Sequence, residues 1–246
     1  MLTNFKELEN YVLSQNMKKR IALANAHDGP ALSAVVNARR KGVVEGTLVG
    51  KKDEIIAMLH EMGEDEKDYE IVDFDGEELE AAKIAVQLVR EGKADIPMKG
   101  ILQTSNFARA ILNKETGLIP TGGRRLVSQC GIFEYEGRFV MITDAAINIA
   151  PDVETQIGIV ENALPVARAL GIDCPKVAVL SAVENVTDKM PSTVSAKEIA
   201  ERGVEGCVIS GPLALDGAIS MESVKHKAIH DPVAGQADIL LVPFIE

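Results

Sequence analysis

Residues 20–50, RIALANAHDGPALSAVVNARRKGVVEGTLVG, decide the fold. Residues 20–26 are a short apolar run suited to a buried strand. His27-Asp28-Gly29-Pro30 then turns the chain, with Asp28 or a neighbour placed to cap a helix and Pro30 suited to its first turn. Leu32, Val35, Val36 and Arg39 carry that helix to Gly42. Residues 43–49 are apolar again and Gly50 ends them. A strand, a helix and a strand joined by short connections lie side by side with the strands parallel.

Outward from this unit the rhythm continues. Phe5, Leu8 and Val12 have helical spacing over residues 3–14. A helix is predicted over 53–62, a strand over 70–74 and a helix over 77–90, with Leu79, Ala82, Ala85, Val86 and Val89 on one face and Gly92 as its stop. Near Val127 the pattern changes. Residues 132–135 and 139–143 flank Gly137 closely enough to pair as an antiparallel hairpin. A loop over 144–151 follows, then a long helix from a cap at Asp152 to Leu170, in which Pro165 predicts a kink or break. Strands are expected over 176–180, 206–210 and 237–242, and a helix over 192–202 capped by Ser192 or Thr193. The fold class is α/β, two domains with mostly parallel sheets, over 1–128 and 129–246 with the boundary inside 126–137.

Composition narrows the function. At 246 residues, with 46% apolar and 26% charged residues, the chain can bury a real core. A formal charge of −11 and a pI near 5.0 argue against nucleic-acid partners. No apolar run approaches a membrane span and no signal-peptide pattern opens the chain. Cys130, Cys174 and Cys207 lack CxxC spacing, so neither a disulfide framework nor a zinc site is indicated, and a reducing cytoplasm is the expected compartment.

Against this acidic background one stretch is basic. Residues 94–128 carry Lys99, Arg109, Lys114, Arg124 and Arg125 against Asp95 and Glu115, a local +3 that leaves −14 for the rest. Phosphates would be repelled by such a field unless cations were gathered locally. Thr104, Ser105 and Asn106 precede a helical pattern and a Gly122-Gly123 turn precedes the arginine pair, so hydroxyls, helix-start N–H groups and guanidinium forks are available for an anion. The alternative is a solvated helix followed by a hairpin turn. Parallel sheets hold ligands at the carboxyl ends of their strands, which directs attention to loops 97–109, 121–125, 144–152 and 181–193. In the third, Asp144 and Asn148 read equally as turn residues. Ser210-Gly211-Pro212-Leu213 reads as turn chemistry after a strand. GxGxxG after a strand, GxxxxGK[ST], GxSxG and HExxH are all absent. His226 and His230, i and i+4, could share a helix face but have no nearby third ligand, so no metal is expected.

The blocks AHDGPALSAVVNARRKGVVEGTLVGKK, IPMKGILQTSNFARAIL, VMITDAAINIAPDVETQ, VAVLSAVENV, ISGPLALDGAIS and GQADILLVP occur in the order found in the phosphate acetyl/butyryl transferase family, which the chain resembles through nearly its whole length. The resemblance implies a two-domain α/β/α fold similar to the isocitrate and isopropylmalate dehydrogenases, with a site in the interdomain cleft. It implies transfer of a short-chain acyl group between coenzyme A and inorganic phosphate, butyryl or acetyl, with no cofactor beyond these substrates. It also implies a homo-oligomer of at least two copies. Lys99 and Gly100 of the MKG segment and Thr104, Ser105 and Arg109 of the TSNFAR segment match family positions as substrate contacts. Asp144 and Asn148 of the DAAIN segment match as scaffolding, whereas Arg124 and Arg125 have no defined family role. The family's C-terminal Ser-Arg-x-Asp element has no counterpart in this sequence, which ends Pro243-Phe244-Ile245-Glu246. The catalytic residues are therefore unassigned, lower turnover than that of a longer relative is expected, and a noncatalytic coenzyme A-binding relative is the competing reading. A dehydrogenase of this fold would need an organised acidic metal site, which these loops do not offer.

Overall fold

Strand β1 (Lys19–Ala24) ends in three fully buried residues, and its side chains divide between two cores. Ala22 and Ala24 point to one face of the sheet and Leu23 to the other, the alternation a strand imposes. A computed structural model describes residues 1–119, 122 and 125–245. The chain divides into two compact units, Glu9–Arg125 and Met1–Leu8 together with the residues from Leu126 onward.

Helix α1 (Phe5–Ser14) precedes β1, which in the first of these units leads to α2 (Gly29–Arg40), β2 (Val44–Gly50), α3 (Lys52–Glu61), β3 (Glu70–Asp73), α4 (Glu78–Arg90), β4 (Ile96–Lys99) and α5 (Thr104–Ile111). The four strands are parallel in the order β3-β2-β1-β4. Leu32, Val35 and Val36 of α2 and Ile55 and Leu59 of α3 pack with Leu23 and Leu48 on one face. Ala82, Ala85 and Val86 of α4 and Ala110 of α5 pack with Ala22, Ala24 and Val49 on the other. Asp28 takes the N-cap position of α2, but its side chain makes no capping bond. Strand β4 is not evident in the sequence because Pro97 interrupts a four-residue run. It is tolerated because β4 is an edge strand, bonded on one side only to β1.

The later unit contains β5 (Cys130–Tyr135), β6 (Arg138–Thr143), α6 (Val153–Ala169), β7 (Lys176–Leu180), α7 (Pro191–Arg202), β8 (Val208–Leu213), α8 (Leu215–Ile219), α9 (Met221–Lys227) and β9 (Ile239–Leu241). Its sheet has the order β5-β6-β9-β7-β8, and only the β5–β6 pair is antiparallel. Glu136 and Gly137 link that hairpin with φ of 48° and 75°, the two positive values a tight two-residue turn requires. Helices α6 and α7 cover Met141, Val177, Val179, Ile239 and Leu241. On the opposite face Ala218 and Val224, from α8 and α9, pack with Val140, Ala178 and Leu240. The first eight residues join this unit through Leu2 and Leu8, and Phe5 meets the Phe139 ring edge-on at 5.2 Å.

Several local expectations need correction. Helix α6 runs unbroken through Pro165. Its apolar residues, Ile157, Ile159, Val160 and Leu164 among them, pack into the unit's own core. Met190, not Ser192 or Thr193, precedes α7 at the cap position, and Thr193 Oγ1 instead donates to the Met190 and Thr187 carbonyls. Ser210 to Leu213 lie within β8 rather than in a turn after it. Helix α9 ends at Lys227, so His230 is beyond the helix that would have aligned it with His226.

Candidate functional site

Lys99 is the last residue of β4 and Gly100 begins the loop to α5. A Cβ on Gly100 would stand 2.9 Å from the Ala24 carbonyl oxygen and closer still to that of Asn25, so only glycine lets this loop lie against the end of β1. The Gly100 N–H donates to the Ala24 carbonyl at 2.8 Å, and Asn25 Nδ2 donates to the Ile101 carbonyl at 3.1 Å. Lys99 Nζ reaches the Leu102 carbonyl at 3.1 Å, which folds the ammonium over the same loop.

Thr104 and Ser105 are exposed in the first turn of α5. That helix start already faces an acid absent from the sequence reading. Glu78, the first residue of α4, accepts from the Gln103 N–H at 2.9 Å and from Asn106 Nδ2 at 3.0 Å through the same oxygen. The Gln103 N–H, then the Asn106 amide and the nearby Lys99 ammonium hold the Glu78 carboxyl below the usual range. An incoming phosphate at this helix end would meet that carboxylate. No local signal marks Glu78, because its partners are about 25 residues further along the chain.

Arg109, in the last turn of α5, is exposed and has no hydrogen-bond or ion-pair partner among the described residues. Arg125 is occupied: its Nη2 donates to the carbonyl of Leu112, the C-cap residue just past α5, where the helix dipole favours a cation. Gly123 and Arg124, the rest of the expected basic turn, lie outside the described residues.

In the later unit Asp144 follows the last residue of β6 and is 2% exposed. One carboxylate oxygen accepts from the Ala146 and Ile147 N–H groups at 3.0 Å each. The other accepts from the Asn148 N–H at 3.1 Å and from its side-chain amide at 2.6 Å. Asn148 Nδ2 also donates to the Val127 carbonyl at 3.0 Å. These two residues shape the loop after β6. Asp152 then caps α6 by accepting from the Thr155 N–H at 2.8 Å, and an open hollow of about 270 Å³ lies between Asn148 and Thr155. At the end of β7 the Ser181 and Ser192 hydroxyls bond each other at 2.8 Å in a buried pair. Among the described residues no group of three or more His, Cys, Asp or Glu side chains could hold a metal ion.

Two α/β units, each with helices on both faces of a largely parallel sheet and polar loops at the strands' carboxyl ends, define the class of protein in which small ligands are held by such loops. Residues 77–246 match the phosphate acetyl/butaryl transferase model. Phosphate butyryltransferase of Clostridium acetobutylicum is 44% identical over all of this chain and 82% of its own length. Phosphate acetyltransferase of Thermotoga maritima is 36% identical over 95% of this chain and 80% of its own. The crystal structure of a branched-chain phosphotransacylase from Enterococcus faecalis V583 superposes with a TM-score of 0.76 at 33% identity, covering 93% of this chain and 80% of that one. The chain belongs to the phosphate acetyl/butyryl transferase family.

Proposed function

We propose that the chain transfers a short-chain acyl group between coenzyme A and inorganic phosphate, with butyryl preferred to acetyl. The observation that carries this is the 44% identity to a phosphate butyryltransferase along the whole chain. In the forward reaction a phosphate oxygen attacks the thioester carbonyl, the C–S bond breaks, and acyl phosphate and the coenzyme A thiolate leave, the thiolate then taking a proton. All reactants are anionic, so the protein's task is to gather cations and orient donors. Lys99 and Arg109 supply charge, Thr104 and Ser105 supply hydroxyls, and Gly100 sets the loop that carries them. Asp144 and Asn148 hold the loop after β6 in shape. No cofactor beyond the substrates is needed.

The working location is the cytoplasm, where coenzyme A thioesters are made and used. Among the described residues no helix is long and apolar enough to cross a membrane. The working assembly is a homo-oligomer of at least two copies. Ile149, Val186 and Leu215 of the later unit, 70%, 46% and 52% exposed, are apolar surface that association would cover. A constant mass of 26.4 kDa in light scattering would remove that reading.

The functional test compares kcat/KM for acetyl-CoA, butyryl-CoA and a branched acyl-CoA by phosphate-dependent thiol release. Butyryl-CoA is expected to be used best. Equal or better use of acetyl-CoA would overturn the butyryl preference. Coenzyme A binding without turnover of any thioester would overturn the transferase reading in favour of a binding protein.

A further inference from the structure

Between β4 and α5 each of four successive residues is tied to a neighbour. The Gly100 N–H donates to the Ala24 carbonyl at 2.8 Å, Asn25 Nδ2 to the Ile101 carbonyl at 3.1 Å and Lys99 Nζ to the Leu102 carbonyl at 3.1 Å. The fourth tie comes from α4, where Glu78 Oε2 accepts from the Gln103 N–H at 2.9 Å. The same oxygen accepts from Asn106 Nδ2 at 3.0 Å, so one atom grips both ends of the first turn of α5.

That turn carries Thr104 and Ser105. Gln103 holds its N-cap position with an extended backbone and makes no side-chain capping bond, so the acceptor that a helix start needs is supplied from α4. Ser105 Oγ stands 3.5 Å from Gln103 Oε1, at the limit of a hydrogen bond, so the placing of Gln103 bears on that hydroxyl. The Lys99 ammonium is near enough to add to the lowering of the Glu78 carboxyl, after the Gln103 N–H and the Asn106 amide. Docking of α5 has a separate source. Leu102, Phe107, Ala110 and Ile111 pack in one apolar cluster with Ala82, Ala85 and Val86 of α4. Loss of the carboxylate therefore leaves the helix in place and frees its first turn.

We infer that, given the acyl transfer proposed above, Glu78 is a positioning residue for it: its Oε2 fixes the first turn of α5 so that the Thr104 and Ser105 hydroxyls keep one orientation toward the phosphate or the acyl-CoA. Orientation is worth holding, because a misplacement of about 1 Å can cost about a hundredfold in rate. The place of the acceptor oxygen is what counts. The negative charge by itself disfavours an anionic substrate.

Three variants of the full chain separate the acceptor from the charge. Glu78→Gln keeps an oxygen at the same reach without the charge, Glu78→Asp keeps the charge but draws its oxygens back by one methylene, and Glu78→Ala removes both. For each, kcat and KM are measured with butyryl-CoA and phosphate, together with the thermal midpoint and amide hydrogen exchange over residues 103–106. Glu78→Ala and Glu78→Asp are expected to lose roughly tenfold to a hundredfold in kcat with the midpoint little changed, and Glu78→Gln to recover most of that loss. Exchange should quicken in Glu78→Ala and Glu78→Asp and stay close to wild type in Glu78→Gln. If Glu78→Ala fails to fold, Glu78→Gln and Glu78→Asp decide with opposite outcomes. Glu78→Gln as impaired as Glu78→Ala, or Glu78→Asp as active as wild type, would overturn the proposal. So would unaltered kcat and exchange in Glu78→Ala. A wild type that turns over no thioester would overturn the transferase reading instead, and exchange would then decide whether Glu78 fixes the turn.

Discussion

Arg109 and Asp144 show two ways in which a residue chosen from sequence can matter. Arg109 is exposed and unpartnered among the described residues, so its guanidinium is available to an anion and contributes little to the fold. Arg109→Ala is expected to raise KM for phosphate or the acyl-CoA by roughly tenfold to a hundredfold, the value of a charge-assisted pair, with the thermal midpoint unchanged. An unaltered KM would make it a solvated surface residue. Asp144 is the reverse case, since its four accepted hydrogen bonds are all internal. Asp144→Ala strands the Ala146, Ile147 and Asn148 N–H groups and should cost about 2–3 kcal/mol in chemical denaturation. A loss confined to activity would instead mean that Asp144 meets substrate.

Among elements, β1, β2, α2 and β7 were legible because each is a continuous apolar run or a clear helical stripe bounded by Gly or Pro. The β5–β6 hairpin was legible from Gly137. Strand β4 was not, because Pro97 argues against a strand unless its edge position is known, and sequence order does not reveal edges. Helices α8 and α9, with 5 and 7 residues, are too short for a period to register. Of the candidate site, the segment after β4 was legible as a charge anomaly. Glu78 was hidden because its contacts with Gln103 and Asn106 are tertiary. The β4–α5 connection makes a sharp prediction at Gly100. Gly100→Ala forces a methyl onto the Ala24 and Asn25 carbonyls and should lower stability by about 1–3 kcal/mol. A midpoint equal to wild type would show that the loop can move away from β1.

Over the whole molecule, carboxyl groups in both units have folded values below the usual range. In the first, the Arg20 N–H and then the Lys19 ammonium lower Asp95, and the Tyr69 hydroxyl and then Arg40 lower Glu64. In the later unit the Thr155 hydroxyl and N–H lower Asp152. Each group gives up its proton more readily folded than unfolded, so each favours the folded state at neutral pH. That contribution is complete above about pH 4.3, the ordinary carboxylate range, and is lost as pH falls through the lower folded values. The thermal midpoint should therefore be insensitive to these groups near pH 7 and decline below about pH 4.3. A midpoint unchanged down to pH 3 would contradict the assigned partners.

As a phosphate acyltransferase, this chain makes an acyl phosphate from an acyl thioester. Phosphorus NMR of the purified protein with butyryl-CoA and inorganic phosphate, with free thiol measured in the same sample, tests it most directly. An acyl phosphate resonance growing in step with free coenzyme A, and absent without phosphate, is the predicted result. Thiol released with no acyl phosphate, or neither product formed, would contradict it.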